Sequence, residues 1–447
     1  MGLGSMGQLL AVSAMPSSSM SDAARQLAVF SLFDWLVCAR GGEDQELSRI
    51  MRDFVREEGG KPVATIVGER AKYPARAAAL ANGTISHALD YDDTHFAHIG
   101  HLSVGIYPAA LAAAEEMNAS ANETRDAFLV GAEAACRIGL ALGRIHYQRG
   151  FHQTATAGAI GATVAAGRLY RLTMDQMRNA LSLVATRASG LKSQFGTMGK
   201  PYNAGIAAAN GVEAARLAKR GFVSCEDGVA GPQGFIVTHS DCPDTDSAWA
   251  DPPPRRWVFE DNKYKLHACC HGTHAMIEAL RGAIDQRRFC ARELKSITVF
   301  THPRWLTVCD IKEPRTGLEV KFSYAHLAAM VVNGIDTSAD KIYTAALAGN
   351  ENLRKLAGRV EVVGDETLGD LAARVIVGLE ANPRVEISHD LASRLPLGVL
   401  ERGLRSKARG LLGAEPADRL WASVSALDRL SASELADLMN DHQLSVV

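Results

Sequence analysis

The 447-residue sequence lacks the features that mark several large classes of protein. Its 48 Lys and Arg residues balance 50 Asp and Glu residues, and this net charge of −2 argues against a protein dominated by nucleic-acid binding. No apolar run reaches the 18 or so residues that a membrane span requires, and the N-terminus has neither the basic segment nor the apolar run of a signal peptide. We therefore expect a cytoplasmic protein that binds neither nucleic acid nor membranes.

The eight cysteines also lack the spacing of a metal site or a disulfide framework. No C-x-x-C pair occurs, and the adjacent Cys269 and Cys270 are poorly placed for a structural disulfide. We predict reduced thiols in a reducing compartment. The apolar fraction of 47% excludes intrinsic disorder, because it supplies enough surface to bury a large core.

Hydrophobic periodicity predicts a mainly α protein, with a large all-helical bundle domain and a smaller α+β domain. Small residues repeat at helical spacing up to about residue 235, which favours close helix packing. A polar, proline-rich loop near 240–257 precedes segments of strand type. We predict a helical domain over 1–266, an α+β domain over 267–399, and a return to the helical domain over 400–447. The predicted helices are 21–39, 74–90, 103–117, 124–143, 154–170, 174–188, 203–220, 271–284, 321–333, 338–348 and 351–357. The predicted strands are 296–301, 359–363, 374–379 and 384–387.

Residues 87–101, HALDYDDTHFAHIGH, concentrate histidines and aspartates in one loop between apolar helices. Four of the fourteen histidines lie there, together with three aspartates. Imidazoles and carboxylates are metal ligands, and they also bind anions and transfer protons. A polar surface connection with a capping aspartate is a third interpretation. The residues alone leave all three open.

Two further segments place a titratable side chain just before a helix of small residues. His152 precedes the 154–170 helix, where backbone N–H groups and the helix dipole favour an anion. A helix cap or a packed side chain is the alternative. Lys200 lies in the turn GTMGKP, beside a proline that can start a helix. That turn lacks the full phosphate-loop pattern, and an ordinary surface lysine is the alternative.

The segment KYKLHACCHGTH, residues 263–274, places three histidines, two cysteines and two lysines at the predicted domain junction. His271 and His274 have a spacing that allows a shared metal, whereas the adjacent cysteines and the lysines argue against a zinc cage. Clefts between domains are favoured sites for small molecules, so we expect an anionic substrate here. No motif for an organic cofactor is present, and we predict none.

These four segments resemble the MmgE/PrpD family over nearly the whole chain. The resemblance is carried by ALANGTISHALDYDDTH (79–95), GFHQTATAGAIGA (150–162) and GTMGKPYNAGIAAANGVEAARLAKRGF (196–222), with support from KLHACCHGTHAMIEAL (265–280) and EPRTGLEVKFSYAH (313–326). It implies a discontinuous helical domain, a smaller α+β lid, a site between them without metal or cofactor, and a homodimer. Within the family, the sequence is most similar to iminodisuccinate epimerase.

The resemblance also implies which residues form the site. The chain departs from the family at two places: Cys270, followed by His271, stands where decarboxylase-like members have a histidine, and KFSYAH replaces K-F-S-x-P-Y. The second departure leaves the tyrosine role between Tyr324 and His326. The residues assigned to substrate binding are Asp90, Thr94, Lys265, Cys270, His271 and Tyr324. The residues assigned to catalysis are Lys200, His101 and His152. Tyr147 is added to them from its position just before the His152 loop, as a candidate second base.

The predicted reaction is removal of a proton from a carbon next to a carboxylate. It needs a base near that proton and cationic or donor groups for the developing charge. We predict a cofactor-independent epimerase of a polycarboxylate such as iminodisuccinate, with Lys200 and Tyr147 as bases on opposite faces. The first alternative is a dehydratase or decarboxylase of a citrate-like tricarboxylate (2-methylcitrate, cis-aconitate). The second alternative is a non-enzymatic helical binding protein.

Overall fold

The computed structural model describes residues 3–380 and 384–440. Its contacts divide the chain into two compact units, one running up to Tyr264 and again from Glu415 onward, the other spanning Lys265–Ala414. The first is helical apart from one short strand pair and the second is α+β, which confirms the predicted fold class. The domain boundaries predicted from the sequence lie after residues 266 and 399.

The described residues form twenty helices and six strands. The helices are α1 (Ser5–Ser13), α2 (Asp22–Gly41), α3 (Glu46–Glu58), α4 (Ala75–Ser86), α5 (Ser103–Met117), α6 (Ala121–Arg149), α7 (Thr156–Leu169), α8 (Met174–Ala185), α9 (Gly199–Lys219), α10 (Phe235–His239), α11 (Thr245–Ala248), α12 (His274–Asp285), α13 (Leu306–Cys309), α14 (Gly317–Val320), α15 (Tyr324–Val332), α16 (Ala345–Ala348), α17 (Glu351–Ala357), α18 (Leu397–Leu412), α19 (Ala414–Ser425) and α20 (Ala432–Asp437). The strands are β1 (Ala64–Thr65), β2 (Lys72–Tyr73), β3 (Leu294–Thr301), β4 (Val360–Gly364), β5 (Ala372–Leu379) and β6 (Arg384–Asp390). None of these helices is both long and apolar enough to cross a bilayer.

The centre of the first unit is a tight packing of α4, α5, α7 and α9. Small residues make it possible, because they let helix backbones approach closely. At Gly83 an added Cβ would lie 2.8 Å from the Cα of Gly205, and an added Cβ at Gly205 would collide with Thr84 and with the carbonyl of Leu80. These helices are buried almost all round, as the alanine- and glycine-rich sequence predicts.

This packing brings three chain segments together. The loop after α4 starts at His87, the turn before α7 contains His152, and Lys200 is the second residue of α9. The sequence places the start of this last helix at 203, whereas the structure begins it at Gly199. Lys200 is thereby fixed in the first helical turn rather than in a free loop.

The second unit contains a four-stranded sheet in the order β4-β3-β5-β6. β3 pairs in parallel with β4 and antiparallel with β5, and β5 pairs antiparallel with β6. α12 packs on β5 and β6, and alternate strand residues such as Val299 and Val375 enter the core. All four predicted strands are confirmed.

Two predictions for the second unit differ from the structure. Residues 338–348 do not form one helix: a 3-10 turn at 340–342 is followed by the short α16, because Thr344 caps a new start with its side chain. α18 belongs to this unit, although the sequence assigns its residues from 400 on to the helical domain. It packs against Leu266 at Gly403 and against Ser338 at Gly410.

Candidate active site

The four histidines of the loop after α4 divide into two pairs with different tasks. His95 bonds through Nε2 to the carbonyl of Val258, and His98 bonds through Nδ1 to the carbonyl of Ala135. Burial lowers the pKa of His95 to about 4 and that of His98 to about 3, so both are neutral. This pair anchors the loop to its own unit, and the other pair, His87 and His101, faces the carboxylates.

A continuous series of acid–base contacts links His87 to Lys200. His87 Nδ1 lies 2.7 Å from Asp92 Oδ1, and His101 Nδ1 lies 2.7 Å from Asp92 Oδ2. On its other side, His101 Nε2 is 3.4 Å from Asp90 Oδ1, and Asp90 Oδ2 is 2.5 Å from Lys200 Nζ. Each carboxylate of the series thus lies between two nitrogen-bearing groups, with imidazoles on both sides of Asp92 and an imidazole and an ammonium on the two sides of Asp90.

The members of this series differ sharply in exposure. The side chains of His87 and Asp92 are fully buried, that of His101 is 10% exposed, and that of Asp90 is 42% exposed. Burial alone would raise the pKa of the Asp92 carboxyl, but the contacts with His101 and His87 outweigh it and hold that pKa well below its usual range. A substrate can therefore reach the Asp90 end of the series.

His152 adds a neutral imidazole beside these groups. Its ring centroid is 6.4 Å from that of His87, and Asn203 Nδ2 donates to its Nδ1 at 3.1 Å. Because Nδ1 accepts, the proton of the neutral ring is on Nε2. Burial, with the nearby His87 and Lys200, keeps the pKa of His152 well below its ordinary value. His152 is consequently a hydrogen-bond donor that carries no charge.

Phe195 forms an apolar wall next to this donor. Its ring meets that of His152 edge-on at 5.0 Å, and the Nζ atom of Lys200 lies 5.4 Å from its centroid. The ammonium of Lys200 thus lies between an aromatic face and the Asp90 carboxylate. An adjacent carboxylate stabilises the charged form of a lysine, and the role of Lys200 as a base stays a prediction.

Backbone and buried polar contacts support the loop. Thr94 is paired with Lys263 through two backbone hydrogen bonds of 2.7 and 2.8 Å. Asp93 accepts from the hydroxyls of Ser31 and Ser103 and from the amide of Asn262. These contacts fix the backbone on both sides of Asp92.

Tyr147, the predicted second base, lies at the end of α6 beside another lysine. The Nζ atom of Lys192 is 3.7 Å from the centroid of the Tyr147 ring and donates to the Tyr147 carbonyl at 3.1 Å. The neighbouring His146 bonds to Thr156 and to the carbonyl of His239. Lys200, His101 and His152 thus lie around the Asp90 carboxylate. The ring of Tyr147 contacts Lys192.

The remaining predicted site residues belong to the second unit. Lys265 is buried, and Cys270 and His271 lie at the 3-10 turn that precedes α12. The His271 ring is 4.7 Å from that of His274, whose pKa burial holds well below its usual value. Within this unit, His271 is therefore part of a buried cluster of imidazoles.

Tyr324 begins α15 and is fully buried. Its hydroxyl donates to the carbonyl of Gly272 at 2.7 Å and lies 3.0 Å from Thr301 Oγ1. His326 bonds to the carbonyl of Leu347 at 3.3 Å. The Tyr324 hydroxyl is engaged in the packing of its own unit, and its assignment to substrate binding stays a prediction.

The same loop contains a set of groups that could coordinate a metal ion. One ligand atom each from His87, Asp90, Asp92 and His101 lies within 4.8 Å of the others. Two nitrogen and two oxygen ligands suit zinc. The ammonium of Lys200, however, already neutralises Asp90, and a divalent cation would have to displace it.

Comparison with known proteins assigns the chain to a family. The MmgE/PrpD N-terminal domain matches residues 11–248, and the MmgE/PrpD C-terminal domain matches residues 267–387. The chain belongs to the MmgE/PrpD family. The first match covers α2 to α9, and therefore the loop, turn and helix that place His101, His152 and Lys200. The family implied by the sequence motifs is thus confirmed.

The similar proteins of the MmgE/PrpD family described below are named as cis-aconitate decarboxylases or as similar to them. The cis-aconitate decarboxylase-like protein oryM of Aspergillus oryzae is 28% identical over 336 residues, which is 69% of each chain. Cis-aconitate decarboxylase of Aspergillus terreus is 30% identical over 241 residues, 50% of this chain and 48% of its own. The human cis-aconitate decarboxylase is 27% identical over 223 residues, 47% and 45% of the two chains. The chain thus spans about half the length of the last two relatives.

Sequence reasoning missed four residues that shape this MmgE/PrpD site. Asp92 and His87 were seen only as members of a polar loop, whereas the structure gives them specific partners. The signal available was spacing: His87 precedes Asp92 by five residues and His101 follows it by nine. Neither spacing matches the period of a helix or a strand, so it does not predict the contacts. Asn203 and Phe195 gave no signal, because each resembles ordinary residues of a helix and a turn.

Proposed function

We propose that this protein is a lyase that decarboxylates an unsaturated tricarboxylate of the cis-aconitate type. The observation that carries the proposal is the similarity to the cis-aconitate decarboxylases, together with the cluster of His101, His152 and Lys200 in the matched domain. This is the alternative that the sequence left open. The relatives give the predicted epimerase no support.

The charges of the cluster suit such a substrate. The Lys200 ammonium is a cation at the accessible end of the series, where it can exchange its Asp90 partner for a substrate carboxylate. The neutral His152 can donate a further hydrogen bond through Nε2. Fixed donors of this kind stabilise an anionic transition state without reorganising during the reaction.

Decarboxylation needs one group that can donate a proton. The bond from carbon to the departing carboxylate breaks, CO₂ leaves, and the electron pair stays on the carbon skeleton, delocalised into the remaining unsaturated carboxylate. An acid then protonates the carbon, so that substrate and one proton give CO₂ and a dicarboxylate. His101 lies next to Lys200 through Asp90 and is the group we assign to this proton transfer.

An epimerase makes a different demand on the site. It needs two acid–base groups on opposite faces of one carbon, and the predicted pair was Lys200 with Tyr147. Lys200 is paired with a carboxylate, and Tyr147 lies beside Lys192. A carboxylate partner disfavours the neutral form that a lysine base requires, which is the physical reason to prefer the decarboxylase.

The decisive experiment incubates the purified protein with cis-aconitate in D₂O. We expect release of CO₂ and a dicarboxylate product that carries deuterium on carbon, followed by NMR, with Lys200→Ala as the inactive control. No CO₂ from cis-aconitate, with optical change in a single iminodisuccinate stereoisomer at retained mass, would replace this proposal by the epimerase. Formation of an ultraviolet-absorbing alkene from 2-methylcitrate would replace it by a dehydratase.

A further inference from the structure

The buried end of the acid–base series contains one carboxylate between two imidazoles. Asp92 presents Oδ1 to His87 Nδ1 and Oδ2 to His101 Nδ1, each at 2.7 Å. The side chains of Asp92 and His87 have no exposed surface. Neither residue is among the site residues that the resemblance to the family implies.

The distances determine where protons lie. An ionised carboxylate can only accept, so a ring nitrogen 2.7 Å from its oxygen must carry the hydrogen. The His101 contact is equally short but is not aligned as a hydrogen bond; the separation alone places a proton on Nδ1, because two lone pairs facing each other at 2.7 Å would repel. In the neutral ring, Nε2 then keeps its lone pair on the side of Asp90. To act as the acid, Nε2 first takes up a proton from solvent, and after it has protonated the carbon the ring returns to the neutral Nδ1–H form.

We propose that Asp92 is a positioning residue that fixes the tautomer of His101, so that Nε2 is the atom that exchanges protons with substrate. This inference rests on the proposed function, since it gives the acid of the decarboxylation its reacting atom. A carboxylate behind a catalytic imidazole is a general way to hold one tautomer and to stabilise the protonated ring.

His87 completes the arrangement from the other side. It donates from Nδ1 to Asp92, and its Nε2 has no hydrogen-bond partner among the residues that the structure describes. Burial lowers the pKa of His87, so it is a neutral donor. It thereby holds Oδ1 of Asp92 and leaves Oδ2 for His101.

The next residue along the chain provides a matched control. Asp93 is also a fully buried carboxylate, but its partners are the hydroxyls of Ser31 and Ser103 and the amide of Asn262. Loss of its charge disturbs the same loop without removing a histidine partner. Asp93→Asn therefore separates a general effect on folding from a specific effect on His101.

The test is side-chain nitrogen NMR of the protein labelled with ¹⁵N-histidine, without substrate, with His101→Gln to assign the signals. We expect neutral His101 to be protonated on Nδ1 in the wild-type protein and in Asp93→Asn. In Asp92→Asn we expect the Nε2–H tautomer to become populated. We also expect kcat on cis-aconitate to fall about 10²–10⁴-fold with KM changed far less, since the wrong tautomer impairs catalysis more than binding.

The outcomes separate the two proposals. A wild-type His101 protonated on Nε2 would overturn the positioning role, and this spectrum decides the question even where Asp92→Asn does not fold. An unchanged tautomer in a folded Asp92→Asn would overturn it as well. If the tautomer shifts as expected but the wild-type protein does not release CO₂ from cis-aconitate, the positioning role holds and the proposed function fails.

Discussion

At the scale of single residues, the site depends on which groups carry charge. The structure surrounds Lys200 with an acidic partner and an aromatic ring, and it buries His87 and His152 as neutral imidazoles. The accessible positive charge therefore comes from Lys200, while the imidazoles supply oriented donors and acceptors. Substitution of Lys200 tests this division directly.

Lys200→Ala should cost about 3–5 kcal/mol of transition-state stabilisation, because it removes a cation at the place where negative charge develops. The measurement is kcat/KM for CO₂ release. Lys219→Ala is the control, since Lys219 is an exposed lysine near the other end of the same helix. Near wild-type kcat/KM in a folded Lys200→Ala protein would make Lys200 an ordinary surface lysine.

His87, Asp90, Asp92 and His101 could together coordinate a metal ion, so the site gives a prediction about metal dependence. We expect full activity after exhaustive chelation and no stoichiometric zinc or iron by elemental analysis, because the Lys200 ammonium takes the position of a cation beside Asp90. The same reasoning predicts tighter zinc binding by Lys200→Ala than by the wild-type protein. A bound metal whose removal abolishes turnover would contradict this account.

At the scale of elements, local sequence signals predicted most of the fold. The predicted 21–39 helix corresponds to α2, and the side chain of Ser21 caps its start by accepting from the N–H of Ala24. The helix predicted to end at 143 corresponds to α6, which continues to Arg149 through a residue with φ of 66° at Gly143. Such signals succeed because they depend on neighbours in the chain.

The parts that could not be predicted depend on contacts between distant segments. The bond from Asn203 to His152 joins residues 51 positions apart, and Arg137 is held by the carbonyls of Ala248 and Arg256. The pairing of Asp92 with both His87 and His101 needs a left-handed backbone at Asp90, φ 51°, which a sequence pattern does not reveal. Loop conformation thus decides the site, while periodicity decides only the scaffold.

The contact between α4 and α9 gives a prediction at this scale. Gly205→Ala should destabilise the protein by about 1–3 kcal/mol, because the added methyl group collides with Thr84 and the Leu80 carbonyl in a packed core. Gly282→Ala in α12 is the matched control. There an added Cβ meets nothing within 4 Å, so we expect a gain of about 0.5–1 kcal/mol from helix propensity.

Urea unfolding at fixed pH measures both variants. Equal changes in the free energy of unfolding at the two glycines would contradict the packing argument. Because α4 leads into His87 and α9 contains Lys200, a folded Gly205→Ala protein should also have a lower kcat/KM than its stability loss alone explains.

At the scale of the whole molecule, the protein buries an unusual set of neutral histidines. Burial lowers the pKa of His95 and His146 to about 4 and that of His98 to about 3, and it also lowers the pKa values of His87, His152 and His274. They are spread over both units. Stability and site chemistry are therefore linked, since the burial that keeps these imidazoles neutral also makes the fold sensitive to acid.

This linkage has a definite sign. A histidine whose pKa is lower in the folded state binds fewer protons there than in the unfolded chain, so its stabilising effect is complete above the unfolded value of about 6.5 and is lost as the pH falls. Each such histidine contributes a slope of up to about 1.4 kcal/mol per pH unit between its two pKa values.

We expect the free energy of unfolding to decrease steeply from pH 6.5 to pH 4. His98→Gln should flatten this decrease by removing one titrating group. Urea titrations at pH 7 and pH 5 measure the difference, and equal slopes in the wild-type protein and His98→Gln would show that the buried imidazoles do not control its acid stability.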